Sequence, residues 1–214
     1  MKKLLLIVTG LSLSLAQCTQ ESENNTGLAL AALALATPNC TVDGTQFFAD
    51  GEVDCSSGTS AVATGTAFLS AAQTHGEVLS VQLTVDVGSS SGDKVVIKGH
   101  GTGRNATSAG FIEIDNAGNT QAGGADNSAG SDTGIAQNGD GTYCVEFHGE
   151  AEVHAIYEKA ACAAKATTAA DWDSEGNNGN SVTTGAPSGS NWGITLINSS
   201  ISALTVNDDE IFGD

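Results

Sequence analysis

Positive charge is scarce in this sequence. Seven Lys and Arg stand against 25 Asp and Glu, so the formal net charge at pH 7 is −18. A groove that follows a phosphate backbone needs a cluster of cations, so we exclude nucleic acid as a partner. The same shortage argues against electrostatic attraction to anionic lipid. A surface of this charge favours solubility and cationic partners, with calcium as a possible cofactor.

Long hydrophobic runs are also missing. The first apolar run, 4–16, follows Lys2 and Lys3 and has about 13 residues, whereas a membrane-spanning helix needs about 20. Two lysines, a short apolar core and a following cysteine are typical of a cleaved export signal. We therefore predict a signal peptide over 1–17, and its removal brings the net charge to −20.

The end of this signal resembles a bacterial lipobox. In Leu15-Ala16-Gln17-Cys18 a leucine lies three residues before the cysteine, although Gln17 departs from the usual small residue. The polar stretch 19–26, the Leu/Ala run 28–36 and the pair Asn39-Cys40 are similar to spirochaetal, leptospiral-type lipoproteins. The resemblance implies lipidation at Cys18, a flexible tether over 18–40, and anchoring to the outer membrane or cell surface. Plain secretion and retention by an uncleaved helix remain the alternatives.

Five cysteines are present, and Cys18 would carry the lipid. The remaining even number in an exported chain predicts two disulfides. Four cysteines allow three pairings, and loop closure costs least between near neighbours. We therefore expect Cys40–Cys55 and Cys144–Cys162.

Helix-favouring stretches are rare after residue 41, and the pattern is one of short strands separated by Gly, Asn, Asp and Ser. The clearest strand is 78–87, in which five apolar residues alternate with polar ones, as in a half-buried strand. A second strand is predicted at 94–98 and a third at 110–115, with weaker candidates at 46–49 and 62–69. A last strand at 192–197 is followed by a turn and a returning strand at 201–206. The glycine-rich stretch 116–141 has few apolar side chains, and we interpret it as a long mobile loop.

A hairpin is predicted over 142–158. A loop at 149–151 would pair residue 148 with 152, 146 with 154 and 144 with 156, keeping the apolar residues on one face. The other face would then carry a polar cluster of Glu146, His148, Glu152 and His154. Such a cluster can bind a ligand or zinc or transfer protons, or it can be an ordinary solvated sheet face.

A second candidate site lies in the acidic stretch that starts at Asp171. Asp171, Asp173 and Glu175 alternate before Gly176, which resembles the start of a calcium-binding loop. The closing Glu is absent, so an acidic surface turn is the alternative. Trp172 is a candidate for stacking on sugar, whereas Trp192 opens a strand and is expected to pack in the core.

The later part of the chain resembles concanavalin A-like, laminin G-type sandwiches. The run 143–157 is similar to their middle hairpin, and 189–206 is similar to the segment that closes their sheet. The resemblance implies an all-β, antiparallel jelly-roll sandwich over 41–214, after the signal peptide and tether. It carries over no ligand motif.

No catalytic motif is found among the common hydrolase, phosphate-loop and zinc-protease patterns. The sequence therefore favours a membrane-anchored surface lipoprotein that acts as a non-catalytic binding or adhesion module for a host matrix protein or a glycan. The alternative is a sandwich-fold glycoside hydrolase that uses carboxylates of the 142–158 hairpin.

Overall fold

A computed structural model describes residues 37–106, 110–117, 119–123, 131–136, 139–149, 153–165, 173–174 and 189–212. The predicted signal peptide, Cys18 and the tether up to residue 36 lie outside these ranges. So do Glu152, Asp171, Trp172 and Glu175. Within the described part of the chain, no helix is long and apolar enough to cross a membrane.

The regular secondary structure of the described residues is β-strand apart from one short 3-10 helix, Cys162–Ala164. The strands, in chain order, are β1 Cys40–Val42, β2 Thr45–Asp54, β3 Ser60–Ala71, β4 Val78–Asp86, β5 Lys94–Gly101, β6 Gly110–Asp115, β7 Asn119–Gly123, β8 Ser131–Ala136, β9 Gly141–Gly149, β10 Val153–Glu158, β11 Asp173–Ser174, β12 Asn191–Ile197 and β13 Ser200–Asn207.

All pairings are antiparallel, and the strands run in the order β11-β10-β9-β4-β13-β3-β12-β5-β6-β7-β8, with β2 and β1 added beside β3. Strand β3 belongs to both halves, because residues 60–62 pair with β13 and residues 66–70 pair with β12. Gly65 lies between these two segments at φ +126°, a conformation that favours glycine. The halves on either side of β3 face each other, with β9 against β5 and β10 against β6. The predicted antiparallel β-sandwich is confirmed.

Both halves contribute alternate residues to one core. In β4 the predicted alternation holds, since Leu79, Val81, Leu83 and Val85 are almost completely buried. Strands β5, β6 and β12 supply facing Ile, Val and Leu side chains. Full burial of each such side chain contributes about 1.5–3 kcal/mol. The layers approach closely where β5 meets β9, because a Cβ on Gly99 would lie 2.6 Å from the Phe147 ring.

Two disulfides are present in the described part of the chain, and both connect the predicted pairs. Cys40–Cys55 joins β1 to the residue after β2 and closes a 15-residue separation. Cys144–Cys162 joins β9 to the 3-10 helix across 18 residues. Intact disulfides are typical of proteins that fold outside the reducing cytosol.

Two expectations about this part of the chain are wrong. The supposed loop 116–141 contains β7 and β8, whose backbones extend the sheet beyond β6. Composition does not reveal them, because the backbone hydrogen bonds that pair strands do not depend on apolar side chains.

The hairpin register is also shifted by two residues. His148 pairs with His154 instead of Glu152, and Glu146 pairs with Ile156 instead of His154. A shift of two keeps every side chain on its original face, so the alternation of apolar residues does not distinguish the two registers.

Candidate functional site

The polar face of β9 is covered rather than solvated. Glu146 is fully buried and His148 is 8% exposed, because the chain after β13 returns over this face. Ile211 and Phe212 pack there with Cys144, Ile156 and Cys162 in a small apolar cluster. The alternative of a solvated face is therefore wrong for Glu146 and His148, because the alternation in β9 does not show which segment packs on its polar side.

Every oxygen of the Glu146 carboxylate is occupied by donors. His148 Nε2 lies 2.5 Å from Oε1, and Ser80 Oγ donates to Oε2 at 2.8 Å. The backbone N–H groups of Ile211 and Phe212 donate to the same carboxylate. Burial alone would raise the pKa of Glu146, but the hydrogen bonds from His148, Ile211 and Ser80 outweigh it and hold the pKa below its usual value.

This arrangement is unsuited to nucleophilic catalysis. The carboxylate stands between the serine and the histidine, so the Ser80 hydroxyl faces Glu146 and Asp209 O. A Ser-His-Asp system needs the histidine next to the hydroxyl, where it can take the proton. The network instead fixes the segment 209–212 onto β4 and β9.

An open cleft of about 460 Å³ lies next to this network, where β13 ends. The segments that line it come from four parts of the chain: the start of β2, the turn after β3, the start of β12 and the end of β13. Its lining residues are Gly44, Thr45, Gln46, Ala71, Gln73, Thr74, His75, Trp192, Val206, Asn207 and Asp208.

Three carboxamide side chains of the cleft are available to a ligand. Gln46, Gln73 and Asn207 are exposed, and among the described residues none of the hydrogen bonds involves their side chains. Carboxamides offer two donors and an acceptor each. Asp208 adds one exposed carboxylate. The cleft can therefore both donate to and accept from a polar ligand.

The inner wall of the cleft is aromatic. Trp192 is only 3% exposed and meets the Phe47 ring edge-on at 5.5 Å between centroids, so its expected place in the core is confirmed. His75 is also buried and packs edge-on against His100, with 4.4 Å between ring centroids. These rings make a rigid wall rather than an exposed stacking platform.

His75 is held neutral in this wall. Its Nδ1 donates to Gly76 O at 2.8 Å, and its Nε2 accepts from the His100 backbone N–H at 3.4 Å. Burial and the neighbouring His100 lower the pKa of His75 to about 4. Burial likewise lowers the pKa of His100. The sequence does not predict this contact, because His75 and His100 lie 25 residues apart and meet only in the folded chain.

The calcium candidates lie mostly beyond what the structure describes. Of Asp171, Asp173 and Glu175, only Asp173 falls in a described range, and its backbone in β11 pairs with Tyr157 of β10. His154 is placed opposite His148 by the backbone of β10. Among the described residues, no three His, Cys, Asp or Glu side chains come together in a way that could hold a metal.

Comparison with known proteins gives structural likenesses only. No family model matches the sequence, and no curated protein matches it. The carbohydrate-binding module CBM66 from Bacillus subtilis is 12% identical, with a TM-score of 0.47 over 80% of this chain and 98% of that chain. The exoplasmic/lumenal domain of VIP36, in its Ca²⁺/Man3GlcNAc-bound form, is 8% identical, with a TM-score of 0.48 over 80% of this chain and 88% of that chain.

Proposed function

We propose that this protein is an exported, membrane-anchored lipoprotein whose sandwich binds a glycan without transforming it. The observation that carries the proposal is the cleft of about 460 Å³ at the end of β13, a volume within the usual range for small-ligand sites. Its exposed amides and hydroxyl groups offer both donors and acceptors, as a ligand rich in hydroxyl groups requires. A host matrix protein that carries such a glycan would be bound through the same cleft.

The cleft favours binding over hydrolysis. Glycoside hydrolysis uses two carboxyl groups on either side of the scissile bond, and the described lining contains one, Asp208. Glu146, which the hydrolase alternative requires, is buried and fully hydrogen-bonded. Glu152 remains to be tested by experiment.

A glycan array with the exported protein tests the cleft. We expect the double variant Gln46→Ala/Gln73→Ala to bind at least about tenfold more weakly, since two hydrogen bonds of roughly 1 kcal/mol each are lost. Asp86→Asn, an exposed site at the other end of β4, is the matched control. Equal binding by the double variant and the control would remove the cleft from the proposal.

A sugar-release assay on the bound glycan tests the absence of catalysis. We expect no release. Release that Glu146→Gln or Glu152→Gln abolishes would favour the hydrolase instead.

The anchor and the metal need their own measurements. A fatty-acid analogue should label the wild type but not Cys18→Ser, and equal labelling of both proteins would contradict lipidation at Cys18.

If Asp171, Asp173 and Glu175 hold calcium, Asp171→Asn/Asp173→Asn should abolish saturable calcium binding in a calorimetric titration. Unchanged binding by this variant would place the ion elsewhere.

A further inference from the structure

Two of the few cations of this chain have no carboxylate partner among the described residues. Lys98 Nζ lies over the Phe68 ring at 5.4 Å from its centroid, and Arg104 Cζ lies over the Phe48 ring at 4.2 Å. Lys94, four residues before Lys98 in β5, does have a partner, since its Nζ lies 2.9 Å from Glu113 Oε1. In a chain with 25 Asp and Glu, two unpaired neighbouring cations need an explanation.

The strand register places these side chains on one surface. Phe48, Ser70, Gly193, Lys98 and Phe111 are successive cross-strand partners over β2, β3, β12, β5 and β6. Their chain neighbours are core residues, so this row points away from the core: Phe47, Leu69, Ile194, Ile97 and Ile112. At about 4.8 Å between strands, the row is roughly 19 Å long. We call the surface made by Phe48, Phe68, Lys98, Arg104 and Phe111 the outer aromatic face.

Gly193 lies at the middle of this face, buried beneath the Phe68 ring. A Cβ at this position would lie 2.8 Å from Phe68 Cζ, so the phenyl ring leans over the glycine. The outer aromatic face continues toward the cleft, because Gln46 of the cleft is two residues before Phe48 in the same strand and therefore on the same side of β2. A ligand that fills the cleft can extend directly across the outer aromatic face.

The cations on this face are partly desolvated. Burial lowers the pKa of Lys98, and Arg104 Nε is buried without a hydrogen-bond partner among the described residues. Desolvating a cation without a counter-ion costs free energy. An anion that paired with Lys98 and Arg104 would recover part of that cost, and Arg is suited to a planar carboxylate.

We infer that the outer aromatic face binds the carboxylated part of an acidic oligosaccharide, whose chain leaves the cleft along this row. Apolar faces of the sugar rings would lie on the phenyl rings, and the carboxylates would pair with Lys98 and Arg104. The inference rests on the proposed glycan binding and adds the charge of the ligand. Asp50, exposed beside Phe68, limits the anion to the side of the row that carries the two cations.

A matched pair of probes tests this charge. Full-length protein, purified after export so that its disulfides form, is titrated with an oligogalacturonate and with the methyl ester of the same oligomer. We expect the free acid to bind at least about tenfold more tightly than the ester, with an affinity that falls as salt rises. Equal affinities for the two probes, or no binding of the acid, would overturn the inference.

Variants of the face and of the cleft separate the two proposals. We expect Lys98→Gln and Arg104→Gln each to weaken acid binding about tenfold and to leave ester binding unchanged, while Lys94→Gln serves as the matched control. If both variants bind the acid as the wild type does, the face is not the site, whatever the cleft does. If Gln46→Ala/Gln73→Ala instead binds both probes like the wild type, the cleft proposal fails and the face stands alone.

A second copy of this chain is the competing occupant, because its acidic surface is also anionic. Sedimentation velocity distinguishes it. We expect a monomer in all variants, and a dimer that dissociates in Lys98→Gln or Arg104→Gln would overturn the saccharide inference.

Discussion

Two groups of polar side chains lie next to each other where the chain leaves β13, and they differ in what their polar atoms contact. In the Glu146 network the carboxylate is buried and accepts from Ser80, His148 and two backbone N–H groups. In the cleft the amides of Gln46, Gln73 and Asn207 are exposed and contact no described partner. Asp209 contacts the network and Asp208 lines the cleft, so the change from one role to the other occurs within one residue.

This difference in contacts assigns the two groups different roles, one in stabilising the fold and one in binding a ligand. A buried, fully hydrogen-bonded carboxylate contributes to folding, and removing it leaves its donors unsatisfied. An exposed amide without a partner contributes little to folding and is available to a ligand. Substitutions in the first group should therefore change stability, and substitutions in the second should change binding.

The largest effect is expected for Glu146→Ala. Loss of the carboxylate removes the acceptor of the Ile211 and Phe212 backbone N–H groups and the carboxylate contact of His148, while the Ser80 hydroxyl keeps Asp209 O. We expect a loss of about 4 kcal/mol in the free energy of unfolding. Urea denaturation measures it, with exposed Glu52→Ala as the control. A variant as stable as the control would show that the network does not hold the segment 209–212.

Removal of Cys144–Cys162 is expected to cost slightly less. The simple loop-entropy model gives about 3 kcal/mol for a separation of this size, and both cysteines pack in the small apolar cluster over Glu146. The double variant Cys144→Ala/Cys162→Ala should unfold at correspondingly lower urea. Wild-type stability after this change would mean that neither the cross-link nor the cluster above Glu146 contributes.

As pH falls, the free energy of unfolding should decrease first through His75 in the cleft wall and only at lower pH through Glu146. His75 has a folded pKa of about 4 against an ordinary value of 6.5, so between these values the unfolded chain binds a proton that the folded chain does not. Stability therefore falls as pH falls through this window, by on the order of 1–2 kcal/mol from pH 7 to 5 after allowance for solvent screening. The pKa of Glu146 lies below its usual value, so stability from this carboxylate is lost only at lower pH.

His75→Gln isolates this contribution. We expect the variant to show a smaller fall in unfolding free energy between pH 7 and 5 than the wild type, with His100, whose pKa burial also lowers, accounting for part of the remainder. Identical pH profiles would show that His75 is not held neutral by the fold.

The smallest effect on stability is expected in the cleft. Gln46→Ala/Gln73→Ala should change the free energy of unfolding by less than about 0.5 kcal/mol, because exposed side chains without partners rarely contribute more. A much larger loss of stability in urea denaturation would assign these residues to the fold instead of to a ligand.

What the sequence predicted follows from periodicity and spacing. Alternation identified β4 correctly, and loop length selected both disulfides. Alternation could not choose between hairpin registers two residues apart, and it predicted which face of β9 is apolar without showing that Phe212 covers the other face. The cleft could not be predicted from the sequence, because its lining residues meet only through pairings between distant strands. They include Gln46, Gln73, Trp192 and Asp208.

The most direct measurement follows the side-chain amide resonances of Gln46, Gln73 and Asn207 by two-dimensional NMR. A glycan that the protein binds on the array is titrated into the sample. These NH₂ groups report the cleft itself, and the backbone N–H groups of Ile211 and Phe212 report the neighbouring network. The account predicts saturable shifts of all three amides with an unchanged network. Shifts confined to the 142–158 hairpin and the segment 209–212, with the three amides unmoved, would contradict it.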